Sequence, residues 1–161
     1  MDLSTAGLWD EFGGELSPAD PIFRSFGMRH CFYGEVATLK IFEDNTLVRE
    51  LLSQKGQGKV LIVDGGGSLR CALVGDQLAQ LAIDNGWAGI VVYGCIRDSS
   101  VINKMDIGIK ALNTTPVKSI KRGEGQRNVE VCFAGVHLKP GDFLYADEDG
   151  LLRASNRLLI N

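Results

Sequence analysis

The chain has 161 residues, of which 45% are hydrophobic and 23% charged, with a formal net charge of −3. That length suits one domain with a sizeable core, and the composition excludes intrinsic disorder. The charge excludes a nucleic-acid binder driven by bulk electrostatics, so no direct nucleic-acid binding is expected.

The opening segment MDLSTAGLWDEF carries acidic residues and no long apolar run. It does not read as a signal peptide, and no stretch reaches the length of a membrane span. A soluble, cytoplasmic protein is expected. Ser4 or Thr5 is a candidate cap for a first helix through Phe12, ended by Gly13-Gly14. The segment SPADPIFRSFG is turn-rich. GEVATLKI then alternates as a strand does. DNTLVRELLSQKGQG reads as a helix capped by Asn45 or Thr46, with Leu47, Leu51 and Leu52 on one face and Gly56 and Gly58 as its stop. KVLIVD is a short apolar run of the kind buried on both faces of a sheet. GGGSLRCALVG reads as a flexible connection, DQLAQLAIDNG as a helix, AGIVVYG as a second buried strand and SSVINKMD as a short helix. The β-like pieces GIKALN, PVKSI, VEVCF and FLYAD follow, separated by the turn-rich KRGEGQRN, LKPGD and DEDG.

The first half therefore alternates helix and strand, and the second half is mostly strand. The expectation is a single α/β domain over residues 1–161 with a mixed sheet system rather than a pure doubly wound sheet. Cys31, Cys71, Cys95 and Cys132 are scattered, with no C-x-x-C pair, so neither a zinc site nor a redox motif is indicated. Buried thiols are expected at all four. Cys95 stands two residues before Arg97, but neither His30 nor His137 can be placed beside it as a base from sequence.

Two stretches invite a functional reading. Gly65-Gly66-Gly67-Ser68 follows a buried strand, where backbone amides can approach an anion. It is not a dinucleotide fingerprint, because Arg70 stands where the third glycine belongs, and no G-K-[ST] follows to make a P-loop. A tight turn is the commoner role. KSIKRGEGQR concentrates Lys118, Lys121, Arg122 and Arg127. Without an interleaved aromatic to stack on bases, it reads as a solvated loop.

The pair Gly75-Asp76 and the pair Arg97-Asp98 carry more. Gly75-Asp76 stands where a helix starts, and the first amides of a helix lack internal partners and carry partial positive charge. The backbone of Gly75, Asp76, Gln77 and Leu78 is thus a candidate cradle for a carboxylate or phosphate. If AGIVVYG runs parallel beside KVLIV, a right-handed crossover returns Arg97-Asp98 to the same edge as the helix start. Arg97 can hold a carboxylate through paired hydrogen bonds. Asp98 offers hard oxygens to a divalent cation such as Mg²⁺, and Asp76 can orient a water or accept a proton. Two readings stand side by side: Asp76 as a helix cap with Arg97-Asp98 as a surface ion pair, or one site built from both ends.

The residues Val63-Asp64-Gly65-Gly66-Gly67, the segment ALVGDQLA and the twenty-residue interval between Asp76 and Arg97-Asp98 together resemble the RraA-like family. This is the family of the regulator of ribonuclease E activity A and of the 4-hydroxy-4-methyl-2-oxoglutarate aldolases. The resemblance extends through FEDNTLVRELL, DIGIKALNTTPV and FAGVHLKPGDFLYADEDGLL. It implies a swivelling α/β/α domain with a mixed central β-sandwich or barrel-like core, assembled as a homotrimer or a hexamer. It implies a metal-dependent aldolase acting on 4-hydroxy-4-methyl-2-oxoglutarate or 4-carboxy-4-hydroxy-2-oxoadipate, with oxaloacetate decarboxylation as a side activity. In that reading Mg²⁺ or Mn²⁺ is held by Asp98, and the small 2-oxo acid is held by the amides of Gly75 to Leu78 and by Arg97. Asp76 orients the water that acts as base. The family's regulator branch implies a different role, binding and inhibiting ribonuclease E. The aspartate after the arginine, Asp98 here, is a mark of the aldolase branch.

Overall fold

The computed structural model describes residues 3–160; residues 1, 2 and 161 of the expected 1–161 domain lie outside the described residues. In chain order the elements are α1 (Thr5–Phe12), a 3-10 turn (Gly13–Glu15), β1 (Leu16–Pro18), β2 (Arg24–Phe26), β3 (Phe32–Lys40), α2 (Thr46–Leu52), β4 (Val60–Asp64), β5 (Ala72–Val74) and α3 (Asp76–Asp84). They continue with β6 (Gly89–Ile96), α4 (Ser99–Ile102), β7 (Gly108–Thr114), β8 (Gln126–Arg127), β9 (Val131–Phe133), β10 (Val136–Leu138), β11 (Phe143–Asp147) and β12 (Gly150–Ala154). Among the described residues no helix is long and apolar enough to cross a membrane.

The fold is mixed α/β, as expected. The main sheet runs β1-β12-β11-β3-β4-β6-β7-β2, with β5 added beside β6 and β8 beside β3. Its centre is parallel: β3 with β4, β4 with β6, and β6 with β7. Antiparallel strands flank that centre on both sides. β3 joins the two regimes. Its first half, Phe32 to Glu35, pairs with β11, while Val36 to Lys40 pair with β4. A strand that changes partners in mid-course makes a corner of a sandwich-like core.

The parallel strands are apolar throughout because both of their faces are covered. One face packs Leu61, Val63, Ile90 and Val92 against Val48, Leu52, Leu78, Ala79 and Ala82 of α2 and α3. The other packs Val60, Ile62 and Val91 against the β9–β10 hairpin and β11. α1 closes the far end, with Leu8 beside Leu16, Tyr145 and Leu152. A buried ion pair braces that region: Arg153 grips Asp142 through Nε at 3.0 Å and Nη2 at 3.1 Å, with Asp142 only 1% exposed.

Several expectations need correction. GGGSLRCALVG is not simply a flexible connection, because Ala72–Val74 forms β5. SPADPIFRSFG holds the end of β1 and all of β2. PVKSI forms no strand, only an isolated bridge between Lys118 and Ala72. The thiols are not all buried: Cys71 and Cys95 are, but Cys31 is half-buried and Cys132 exposed.

Candidate active site

β4 and β6 lie side by side and parallel, with Asp64 opposite Tyr93. α3 makes the crossover, so its N-terminus and the C-terminal end of β6 share one sheet edge. β5 completes the construction. It pairs with the end of β6 that outruns β4, Ala72 opposite Cys95 and Val74 opposite Ile96. The Arg97 amide then donates to the Val74 carbonyl at 2.9 Å. Gly75 and Arg97 are thereby pinned as neighbours, and the two charged pairs of the sequence meet.

Gly75, not Asp76, is the cap residue of α3; it is extended, at φ −122° and ψ −170°. Asp76 is the first helical residue, and its amide donates to Asp98 Oδ2 at 3.1 Å. The helical ladder begins with the Ala79 amide on the Gly75 carbonyl, 3.0 Å, so the amides of Gln77 and Leu78 belong to the unladdered first turn. The expected four-amide cradle is therefore smaller, because Asp76 spends its amide on Asp98. Arg97 Nε lies 4.0 Å from Asp98 Oδ2. A Cβ on Gly75 would stand 2.7 Å from that oxygen and 3.5 Å from Arg97 Nε. A side chain at 75 would thus collide with the group the helix end is holding. Asp98 sits in the left-handed region, at φ 58° and ψ 36°, and makes no capping bond to α4, which it precedes. Its backbone turns its carboxylate back over the start of α3.

These residues line a cleft of about 130 Å³. All six expected site residues, Gly75, Asp76, Gln77, Leu78, Arg97 and Asp98, contribute to its wall. The opposite wall brings residues that sequence reasoning did not place there: Asn45, Arg49, Lys118, Ser119 and Lys121. The cleft thus carries four cationic side chains against two carboxylates. Part of the cationic loop that reads as solvated in sequence is in fact site wall.

Asp44, just before α2, holds that loop in place. Its Oδ1 accepts from the Thr46 amide at 2.9 Å and Thr46 Oγ1 at 2.6 Å. Its Oδ2 accepts from the amides of Arg122 at 2.8 Å and Glu124 at 3.0 Å. Burial alone would raise the Asp44 carboxyl, but the Thr46 bonds and the Glu124 and Arg122 amides outweigh it and hold the group down at about 2. Ser119 is tied in as well, its hydroxyl accepting from the Asn45 amide at 3.2 Å. Asn45 Nδ2 donates to the Leu73 carbonyl at 3.2 Å, leaving Asn45 Oδ1 buried without a hydrogen-bond partner among the described residues.

The glycine turn shares the edge but not the cleft. The amides of Gly65 and Gly67 both donate to the Tyr93 carbonyl at 3.1 Å, and Gly66 donates to Asp64 Oδ1 at 2.9 Å. Its amides are spent on folding the chain back into β5. Cys95 is no nucleophile here either; burial pushes its thiol up and it lines no part of the cleft.

The family model described as Aldolase/RraA matches residues 2–153. The chain belongs to the Aldolase/RraA family. A relative from Alkalilimnicola ehrlichii, provisionally named a 4-hydroxy-4-methyl-2-oxoglutarate aldolase, is 56% identical over 99% of both chains. A similarly named protein from Arabidopsis thaliana is 52% identical over 91% of this chain and 89% of its own. Among solved structures, the RNA-processing inhibitor RraA from Thermus thermophilis superposes with a TM-score of 0.95 at 47% identity, covering 99% of this chain and 96% of its own. A Geobacillus kaustophilus protein described as an S-adenosylmethionine:2-dimethylmenaquinone methyltransferase gives 0.95 at 49% identity, covering 97% of each chain. The aldolase names support an aldolase, while one fold carries three described activities, so the site must decide between them.

A divalent cation is the cofactor to be tested against this Aldolase/RraA site. Among the described residues no group of three His, Cys, Asp or Glu side chains is placed to hold a metal. Zinc-type chelation by the protein alone is therefore not built in. Mg²⁺ and Mn²⁺ make a smaller demand, one or two carboxylates with substrate oxygens and water completing the shell. Asp98 meets it: the Asp76 amide orients one oxygen, and the side chain is 37% exposed to the cleft mouth. In the opposite wall, Asn45 carries a further hard acceptor, its buried and unpartnered Oδ1. The residues present fit a loosely held hard cation.

Proposed function

We propose that this chain is a divalent-metal-dependent aldolase that cleaves a 4-hydroxy-2-oxo acid bearing two or three carboxylates, 4-hydroxy-4-methyl-2-oxoglutarate or 4-carboxy-4-hydroxy-2-oxoadipate, releasing pyruvate. The observation that carries the reading is Asp98, held over the first turn of α3 by the Asp76 amide with Arg97 beside it, in a cleft whose far wall is cationic. The Gln77 and Leu78 amides receive the carboxylate next to the 2-oxo group. Arg97 faces that oxygen and neutralises the charge it gains as the C3–C4 bond breaks and its electron pair becomes the pyruvate enolate. Asp76, at the rim, positions the water that takes the 4-hydroxyl proton. Arg49, Lys118 and Lys121 meet the second carboxylate. Asp98 would hold the metal, which when bound supplies Lewis-acid polarisation of the 2-oxo group. Oxaloacetate decarboxylation leaves the same enolate, so it is expected as a side activity.

The test is pyruvate release from 4-hydroxy-4-methyl-2-oxoglutarate and from oxaloacetate, with Mg²⁺, with Mn²⁺ and with chelator. Asp98→Asn is the informative variant, because asparagine tolerates the left-handed backbone where alanine is strained. It should lower kcat by about 10²–10³-fold and leave the melting temperature unchanged. Absence of metal-dependent turnover of either substrate refutes the proposal. A methyltransferase reading fits less well. A cofactor the size of S-adenosylmethionine occupies a pocket of several hundred Å³, whereas this cleft measures about 130 Å³ and its cationic wall opposes a sulfonium.

The likeness to the RNA-processing inhibitor favours a second reading, a regulator that binds ribonuclease E. The exposed Phe42, Val117 and Ile120 beside the cleft suit a protein contact, either with such a partner or with another copy in a trimer or hexamer. Purified components should then associate in a salt-sensitive way that Asp98→Asn leaves intact, and no association at moderate salt rejects this role. Native mass measurement reads the assembly.

A further inference from the structure

Away from the cleft, the β9–β10 hairpin aligns a thiol, an imidazole and a carboxylate. Cys132 and His137 are cross-strand partners, and Cys132 Sγ lies 3.6 Å from His137 Nε2. The other ring nitrogen, Nδ1, lies 3.3 Å from Glu130 Oε1. A carboxylate at Nδ1 selects the tautomer with its proton there, which leaves Nε2 as an acceptor facing the thiol. That is the order nucleophile, base and orienting acid. The hairpin holds the pair in register. Val131 and Phe133 point inward, and Val136 and Leu138 opposite them do the same. Phe133 packs against Tyr93, ring centroids 4.9 Å apart. The two-residue turn, Ala134 and Gly135, has positive φ at both positions, the geometry that fits the twist of a tight hairpin. Cys132 and His137 therefore face outward together. Cys132 also borders an open groove of about 530 Å³ that includes Lys40, Asp64, Tyr93 and Glu124, which leaves room for a reactant.

We propose that Cys132 is a thiol-modification site, activated by His137 and Glu130, that exchanges with small disulfides. His137 Nε2 takes the thiol proton; Cys132 Sγ attacks one sulfur of the disulfide; a new S–S bond forms as the old one breaks. The departing thiolate takes up the proton from His137. One thiol and one disulfide enter, and one mixed disulfide and one thiol leave, with no net oxidation. Cys71 and Cys95 are closed to such a reactant: both are buried, and burial pushes both thiols up.

The test treats the intact protein with oxidised glutathione near pH 7 and maps the adduct by peptide mass spectrometry. A first adduct on Cys132, reversed by dithiothreitol and absent from Cys132→Ser, is expected. Its rate in His137→Ala should fall about 10-fold or more, and the pH profile should move toward that of an ordinary thiol. Glu130→Gln should produce a smaller drop. Because His137 and Glu130 are 71% and 61% exposed, these variants should melt with the parent protein. If Cys31 takes the adduct first, or if His137→Ala reacts as fast as the parent, the proposal is overturned.

Discussion

Replacing Gly75 with alanine should separate the site from the fold. The backbone at Gly75, φ −122° and ψ −170°, is ordinary extended geometry that alanine adopts freely. What alanine cannot avoid is Asp98. Its Cβ would stand 2.7 Å from Asp98 Oδ2, where ordinary contact starts at 3.4 Å, so the carboxylate must retreat by roughly 0.7 Å (3.4 − 2.7). Retreat lengthens the 3.1 Å bond from the Asp76 amide and moves the carboxylate proposed to hold the metal relative to Arg97. A displacement of about 1 Å in a catalytic constellation costs on the order of 10²-fold in rate. The stability cost is limited to losing one partly exposed hydrogen bond and a poorer cap, together about 1 kcal/mol. Pyruvate release read alongside thermal unfolding distinguishes the two. Gly86→Ala is the opposite control, since Gly86 has φ 75° with open space around it; it should cost about 1 kcal/mol of stability and no activity. If Gly75→Ala retains full kcat, the contact between residues 75 and 98 does not organise the catalytic group, and the assignment of Asp98 falls with it.

Asp44→Asn should loosen the cationic wall and reshape the acid limb of stability. The folded carboxyl lies at about 2 against an ordinary 3.8, worth about 2 kcal/mol. Because the folded value is the lower one, this contribution is complete above pH 3.8 and disappears as pH falls toward 2. Melting curves of parent and variant should therefore converge between pH 4 and 2; a gap independent of pH refutes the charge argument. Asp142→Ala leaves Arg153 without its buried partner and should cost about 3–5 kcal/mol in chemical denaturation; a loss below about 1 kcal/mol contradicts the bracing role. Lys118→Met with Lys121→Met should raise KM for dicarboxylic substrates severalfold with little change in stability. Unchanged KM would place the second carboxylate elsewhere.

What the sequence disclosed depended on how local each cause was. KVLIVD and AGIVVYG are uninterrupted apolar runs between glycines, and both became central parallel strands because a two-face-buried strand needs nothing else. β5 was hidden: three residues, Ala72–Val74, carry no period of their own and owe their strand geometry to the overhanging end of β6. The charged pairs around Asp76 and Arg97 were readable because the crossover rule closes them on one edge. The roles of Lys118 and Lys121 were not, since Asp44, far away in the chain, clamps their loop. Cys132 is the reverse case. VEVCF alternates, with Val131 and Phe133 inward, so its exposure was legible, and reading all four thiols as buried overlooked that period.

The backbone of Asp98 supplies a last argument about what this edge is for. A left-handed non-glycine residue costs about 1 kcal/mol, and Asp98 has φ 58°. Its return in stability is the hydrogen bond it accepts from the Asp76 amide and a 4.0 Å ion pair with Arg97, on a side chain 37% exposed where water would serve nearly as well; together they are worth about 0.5–1 kcal/mol. The two nearly cancel, so folding gives little reason for an aspartate here. Asp98→Gly should accordingly melt within about 1 kcal/mol of the parent while losing metal-dependent pyruvate release. A loss of about 3 kcal/mol would show Asp98 to be a structural cap. Equal stability with abolished turnover would mean that the strain is tolerated for chemistry, and it would separate the aldolase reading from that of a binding scaffold, which has no use for a carboxylate turned over a helix end.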